Sequence, residues 1–183
     1  MVSSPADGMV MKVLVLSDSH SALSMMRRSI EAVRPDLLIH LGDHYDDALA
    51  IEEDHPGLPM YKVPGNCDAY RVPDSIPLTL IEKIGGVRIY MTHGHMQHVK
   101  QTTLRLEADA RAVGAAAVLY GHTHRPDCRQ EADGLWVLNP GSCGYYGGSV
   151  GLMEIADGRI LSCRILRDED LEQMQKEKTA GEQ

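Results

Sequence analysis

Five short apolar runs, each stopped by a polar turn, organise the chain. Val13 to Leu16 ends at Ser17-Asp18, and Leu37 to Leu41, interrupted by His40, ends at Gly42-Asp43. Val87, Ile89 and Met91 alternate with Arg88 and Tyr90 before Thr92-His93-Gly94-His95. Ala115 to Tyr120 stops at Gly121-His122-Thr123-His124, and Leu135 to Leu138 stops at Asn139-Pro140-Gly141-Ser142. Runs of this length bounded by Gly, Pro and Asp predict buried strands. Two stretches have helical spacing instead. Ser21 to Val33 can open on a serine cap and sets Leu23, Met26, Ile30 and Val33 on one side. Val99 to Val113 sets Val99, Leu106, Ala110 and Val113 on one face, with Gly114 at its C-terminal stop. From Leu135 to Leu166 the pattern is strand-rich, and Ala156-Asp157-Gly158-Arg159 carries a hairpin signal. Helices between strands early and strands in succession later predict an α/β sandwich with mixed sheets.

The 183 residues fit one domain, read as residues 12–166. Residues 1–11 read as a loose leader, with Met9 or Met11 as a candidate start. Residues 167–183 form a charged tail, either a surface helix or frayed, with disorder expected in its last few residues. A composition that is 43% hydrophobic and 24% charged excludes a disordered chain. No apolar run reaches the ~20 residues of a membrane helix, and the N-terminus lacks the pattern of a signal peptide. Cys67, Cys128, Cys143 and Cys163 form no CxxC pair, so reduced thiols and a cytoplasmic location are expected. With 18 basic against 26 acidic residues, net −8, tight duplex nucleic-acid binding is disfavoured. A homodimer, paired through a strand edge or an apolar patch, is a candidate assembly.

The polar residues after the runs carry the chemistry. In α/β folds such residues gather in the crevice at the strands' C-terminal edge. They comprise Asp18, His20, Asp43, Asn66, His93, His122 and His124: two carboxylates, one amide and four imidazoles in Gly- or Ser-containing turns. Imidazole and carboxylate suit Zn, Mn, Fe or Ni, and no cysteine belongs to the set. Seven ligands exceed the needs of one tetrahedral ion and suit two ions sharing a bridging carboxylate. Two divalent ions outweigh two carboxylates, so the pocket attracts an anion on an otherwise acidic protein. They also lower the pKa of bound water from 15.7 toward roughly 7. A phosphate ester is the matching substrate, its oxygens held by both ions while hydroxide attacks phosphorus in line.

Asp18-x-His20, Gly42-Asp43, Gly65-Asn66-Cys67-Asp68, Thr92-His93-Gly94-His95 and Gly121-His122-Thr123-His124 resemble the five blocks of the calcineurin-like metallophosphoesterases. Their order and spacing match across about Lys12 to Leu166. With the short length and Asn139-Pro140-Gly141-Ser142, the chain is most similar to the small bacterial and archaeal phosphodiesterases of the YfcE type. The resemblance implies a four-layer αββα sandwich, two mixed β-sheets flanked by helices. It also implies that Asp18, His20 and His124 hold a first metal and Asn66, His93 and His122 a second, with Asp43 bridging. Mn²⁺ is the metal it implies first, with Ni²⁺, Fe or Zn²⁺ used by some members. One block departs from the larger relatives, Ser/Thr protein phosphatases among them, which carry Gly-Asn-His where this chain has Gly65-Asn66-Cys67. That histidine helps the leaving group depart, and a thiol with an ordinary pKa of about 8.5 is a poor substitute. Diesters with good leaving groups are therefore favoured over phosphoproteins, and His95 becomes the candidate acid.

Other residues have plainer readings. His40 is expected to be a buried structural histidine, His44 an exposed loop residue, His55 a surface residue, and His98 the start of a helix near the site. Cys67 is expected to pack or line the pocket rather than react, Cys143 has the same plain reading, and the Ser142 hydroxyl is a candidate phosphate contact. Specificity is expected from three loops, His44 to Pro56, Ala69 to Pro77 and Met96 to Gln101. Competing functions are a phosphomonoesterase or nucleotidase, and a non-catalytic scaffold, because a eukaryotic retromer subunit shares the implied fold. Loss of ligand positions would mark the scaffold, and none of the seven is lost.

Overall fold

A computed structural model describes residues 8–181; the first seven residues of the expected leader and the last two of the expected frayed tail lie outside the described residues. The chain runs through β1 (Met11–Leu16), α1 (Leu23–Val33), β2 (Leu37–His40), α2 (Tyr45–Asp54) and β3 (Met60–Lys62). It continues with β4 (Thr79–Ile84), β5 (Val87–Thr92), α3 (Leu104–Ala112) and β6 (Ala117–Leu119). It closes with β7 (Asp127–Gln130), β8 (Trp136–Asn139), β9 (Ser149–Ala156), β10 (Arg159–Arg167) and α4 (Asp168–Gly181).

Two five-stranded sheets result, ordered β10-β9-β1-β2-β3 and β4-β5-β6-β8-β7. Within the first, β1, β2 and β3 are parallel; within the second, β5, β6 and β8 are parallel; the remaining pairings are antiparallel. Alternation along β1 shows how the layers form. Val13 and Val15 enter the core between the sheets with Ile39, Ile89, Met91 and Leu119, while Leu14 and Leu16 face Met26, Ile30 and Val33 of α1. On the far side, Val118 and Val137 meet Leu106 and Ala110 of α3. The order of layers is helix, sheet, sheet, helix, so the expected αββα sandwich of two mixed sheets is what the chain forms. Each Leu, Ile or Val so buried contributes about 1.5–3 kcal/mol relative to exposure.

Several boundaries differ from the sequence reading. α1 begins at Leu23, after Ala22, because Ser21 sits at φ +70 and gives its backbone N–H to Asp47 Oδ2 at 2.8 Å; no serine cap forms. The second expected helix starts at Leu104, not Val99, because the chain turns between Gly94 (φ +102) and His98 (φ +57). His98 is exposed and begins no helix. The expected loop from His44 to Pro56 is mostly α2, hidden in the sequence because only Tyr45, Ala48 and Ile51 make its apolar buried face. Asp46 and Asp47 in its first turn suit the positive helix end. The hairpin signal is borne out: Asp157 (φ +50) and Gly158 (φ +71) join β9 to β10. Residues 168–181 are helical, anchored by buried Leu171, by the Arg28–Asp168 ion pair at 2.5 Å and by Lys178, which donates to the carbonyls of Glu31 and Ala32.

Candidate metal centre

The parallel strands deliver the polar turns to one place. Asp18 and His20 follow β1, Asp43 follows β2, Asn66 follows β3, His93 follows β5, and His122 and His124 follow β6. One group, Asp18, His20, Asp43 and His124, has its candidate ligand atoms all within 4.8 Å of one another; a second, Asp43, His93 and His122, meets the same limit. Asp43 belongs to both. Asn66 joins the second group, its Oδ1 3.2 Å from His93 Nε2. All seven residues predicted from the sequence therefore meet at one cleft.

Sharp turns make this convergence possible. Asp18, His20, Asp43, His122 and His124 all have φ between +43 and +68, a conformation that costs on the order of 1–3 kcal/mol per non-glycine residue. Gly42 (φ +97) and Gly65 let the turns after β2 and β3 touch: a Cβ on Gly42 would strike the Gly65 backbone, and one on Gly65 would strike the Asp43 carboxylate.

The electrostatics fit a cation. Asp18 is fully buried; its Oδ2 accepts from Ser17 Oγ and from the His122 N–H at 3.0 Å, while its Oδ1 has no hydrogen-bond partner. That Oδ1 lies 3.1 Å from His124 Nε2 and 4.0 Å from His93 Nε2. The Leu41 carbonyl can only accept, so His93 Nδ1 donates to it at 2.7 Å. Its Nε2 then faces Asn66 Oδ1 at 3.2 Å and Asp43 Oδ1 at 3.5 Å. His20 Nε2 and His124 Nε2 face each other at 3.4 Å. Acceptor atoms gathered this closely in a buried cleft need protons or metal ions between them.

The proton equilibria agree. Burial opposes the charge on Asp43 and Asp18, yet the His93 ring beside Asp43, and His124, His93 and Ser17 beside Asp18, hold both carboxyls below their ordinary values. Burial would strip the proton from His93, but Asp43 and Asp18 draw its pKa up. Burial, then the neighbouring His93 and Lys100, push His122 down to about 4. Burial and His44 lower His20. Ionised Asp18 and Asp43 and neutral His20 and His122 are the forms that ligate a divalent ion, whereas His93 must give up its extra proton to do so.

Around this cleft a layer of buried polar groups fixes the turns. The Gly42 N–H donates to His40 Nδ1 at 3.2 Å, His40 Nε2 donates to Ser19 Oγ at 3.0 Å, and Ser19 Oγ donates to Asp47 Oδ2 at 2.7 Å. His40 is thus the buried structural histidine expected, its pKa pushed down to about 4 by burial. Buried Asp68 accepts the N–H groups of Asp43, Tyr45 and Gly65 at 3.0, 2.9 and 2.7 Å. Asn139 Nδ2 donates to the Gly121 carbonyl and to Thr123 Oγ1, both at 3.0 Å. Asp47 and Tyr145 escaped the sequence reading: Asp47 lies in the unforeseen α2, and Tyr145 stacks on His124 with centroids 5.3 Å apart at 9°. Neither has a local sequence signal.

Two expectations are corrected. His44 is half-buried at the helix start, its ring 4.8 Å from that of His20, rather than an exposed loop residue. Ser142 is buried and its hydroxyl donates to the Asp18 carbonyl at 2.7 Å while accepting from the Gly144 and Tyr145 N–H groups at 3.1 Å, so it braces a turn and faces no phosphate. Cys67 is exposed, with its thiol raised to about 11 by desolvation and by the Asp43 carboxylate. His95 is half-buried, 5.5 Å from the His93 ring and 6.1 Å from that of His122, and its buried Nδ1 lacks a partner.

Known proteins resemble this chain in sequence and in fold. The calcineurin-like phosphoesterase superfamily domain model matches residues 11–158. The "Probable metallophosphoesterase YsnB" of Bacillus subtilis (strain 168) is 37% identical over 137 residues, 72% of this chain and 75% of that protein. Phosphodiesterase MJ0936 of Methanocaldococcus jannaschii is 29% identical over 161 residues, 79% of this chain and 93% of that protein. Among solved structures, a predicted phosphoesterase from Streptococcus pneumoniae TIGR4 superposes with a TM-score of 0.69 at 27% identity, covering 88% of this chain and 91% of that one. Vps29 from Entamoeba histolytica complexed with Zn²⁺ superposes with a TM-score of 0.64, covering 86% of this chain and 99% of that one, and at 22% identity bears on the fold alone.

Proposed function

The chain belongs to the calcineurin-like phosphoesterase superfamily, and from that premise we propose that it is a phosphodiesterase dependent on two divalent metal ions, Mn²⁺ first among them. The observation that carries the reading is the position of Asp43, whose carboxylate belongs to both groups of ligand atoms. Asp18, His20 and His124 would hold one ion and Asn66, His93 and His122 the other, with Asp43 between them. When bound, the ions supply Lewis acidity and lower the pKa of water toward roughly 7.

The protein's own part is positioning. The Asp18 and His93 contacts to the His122 N–H and the Leu41 carbonyl fix the direction of a carboxylate and of a ring nitrogen before any ligand arrives. His95 stands beside the second group with a free buried nitrogen, where it can pass a proton to a departing alkoxide. Burial and His93 lower its pKa and so favour the neutral ring; the proton it carries in its charged form matters for a basic, poor leaving group and little for p-nitrophenolate. His95→Gln is therefore expected to slow a poor-leaving-group diester more than bis-p-nitrophenyl phosphate; equal effects on both would remove His95 from the chemistry. Free thiols at all four cysteines accord with a cytoplasmic setting.

The test compares bis-p-nitrophenyl phosphate with p-nitrophenyl phosphate, using protein stripped with chelator and reloaded with Mn²⁺. Turnover of the diester restored by Mn²⁺, with little on the monoester, is expected. Monoester turnover equal to or above it would replace the reading with a phosphomonoesterase, and silence on both with two ions bound would replace it with a binding module.

A further inference from the structure

Beside His122 and His124 the surface sinks into a hollow of about 490 Å³, whose walls also include Lys100, Arg125, Tyr146 and Arg167. The three cationic side chains come from different places: the turns beyond β5, the turn after β6 and the end of β10. All three are exposed, and none forms an ion pair among the described residues. Two carboxylates do lie close, and one of them, Asp170, accepts the Arg167 backbone N–H at 2.8 Å without pairing with its guanidinium. Asp127 lines the adjoining depression with Lys100 and Arg125, but it is held by Arg129. Other cations among the described residues are paired across the surface, Arg27, Arg28, Lys62, Arg71, Arg111 and Arg129 among them. Three unpaired cations around one hollow, on a chain of net charge −8, concentrate positive potential next to the cleft.

We propose that this hollow is a phosphate subsite, and that the preferred substrate carries a second phosphate beyond the diester being hydrolysed. The first half rests on the hollow alone; the second half rests on the phosphodiesterase reading. A tetrahedral dianion offers several acceptor oxygens at once, which suits two guanidinium forks and an ammonium arriving from separate elements. A volume of this size also accommodates the body of a nucleotide-sized ligand, and the exposed Tyr146 ring stands at its rim. The two ligand imidazoles in the hollow's wall make it continuous with the cleft, so one molecule can occupy both.

The test uses the full chain loaded with Mn²⁺ and two esters, thymidine 5′-(p-nitrophenyl phosphate) and the same ester phosphorylated at the 3′ oxygen. They differ only in the second phosphate. Exposed ion pairs are individually weak, so the three together are expected to raise kcat/KM for the phosphorylated ester by about tenfold, equivalent to about 1.4 kcal/mol. The preference is expected to fall toward one in 0.5 M NaCl and in the triple variant Lys100→Gln, Arg125→Gln, Arg167→Gln. Equal kcat/KM for the two esters in the unmodified protein, or an unchanged preference in the triple variant, would overturn the proposal. If neither ester is hydrolysed, the subsite is decided by binding, and the phosphodiesterase reading is decided separately by bis-p-nitrophenyl phosphate. Calorimetry should then show thymidine 3′,5′-diphosphate about tenfold tighter than thymidine 5′-monophosphate, the gap closing in the triple variant; no gap sinks the subsite. Citrate competing as strongly as the diphosphate would reduce the hollow to an unselective anion patch and overturn its assignment to phosphate.

Discussion

Two clusters of charged side chains on this molecule are built on opposite rules. At the outer face of the second sheet, Arg129 meets Glu107 and Glu131 at 2.7 Å each, and Asp127 as well. Arg111 meets Glu107 at 3.2 Å and Asp133 at 2.6 Å, and Thr103 Oγ1 donates to Glu107 at 2.8 Å. Every carboxylate there faces a guanidinium. In the cleft, by contrast, carboxylate oxygens, an amide oxygen and imidazole nitrogens face one another, and Asp18 Oδ1 is buried with no donor. A satisfied cluster ties α3 to β7 and is complete as it stands. An unsatisfied one costs free energy that protons or a bound cation return, so what matters chemically is which charges lack partners.

The largest way to sharpen this contrast is Asp43→Asn. Losing the shared carboxylate should remove several kcal/mol of transition-state stabilisation, at least about 10³-fold in kcat on bis-p-nitrophenyl phosphate. The thermal midpoint of the metal-free protein should stay near that of the unmodified chain, while the stabilisation gained on adding Mn²⁺ should vanish. A variant still stabilised by Mn²⁺ would break the contrast.

Asp47→Ala comes next. It frees Ser19 and the Ser21 N–H from their common acceptor and loosens the turn that carries Asp18 and His20. A loss of about 10–100-fold in Mn²⁺ affinity or activity is expected, read by metal titration. An unchanged titration would show that the turn holds itself.

Glu107→Gln probes the satisfied cluster. Burial opposes the charge on Glu107, but Thr103, Arg111 and Arg129 hold its pKa below the ordinary value. A depressed carboxylate adds stability above its unfolded pKa and loses it as pH falls through the folded one. The variant should therefore be less stable by about 1–2 kcal/mol at pH 7. The gap should persist down to about pH 5 and close with further acidification, as denaturant titrations at each pH would show. Mn²⁺ should stabilise variant and unmodified protein equally.

Cys67→Ser should do least, changing diester turnover by less than about twofold, because a thiol raised to about 11 is neither ionised nor an effective acid at neutral pH. A tenfold loss in steady-state turnover would restore the thiol to the chemistry.

Legibility in the sequence followed the strength of local signals. β1, β2, β5, β6 and β8 were readable because each is an apolar run ended by a polar turn, and the turns after β1, β2, β5 and β6 carry Asp18, His20, Asp43, His93, His122 and His124 into the cleft. The β9–β10 hairpin was readable from Asp157-Gly158. The three-residue β3, the edge strands β4 and β7, and α2 were not. Short or edge strands bury too little to leave a period, and α2 packs through only a few side chains.

The order of the five blocks along the chain was thus enough to name the seven residues that meet, and the alternation of Val13, Leu14, Val15 and Leu16 was enough to announce a strand buried on both faces. Only tertiary structure decided that Asp18 Oδ1 would be left without a donor, that Asp68 would collect three N–H groups, and that Lys100, Arg125 and Arg167 would surround one hollow. The physical reason is range. Strand period and turn chemistry act between neighbours in the chain, whereas hydrogen-bond satisfaction and electrostatic potential depend on which distant segments the packing of two sheets brings together.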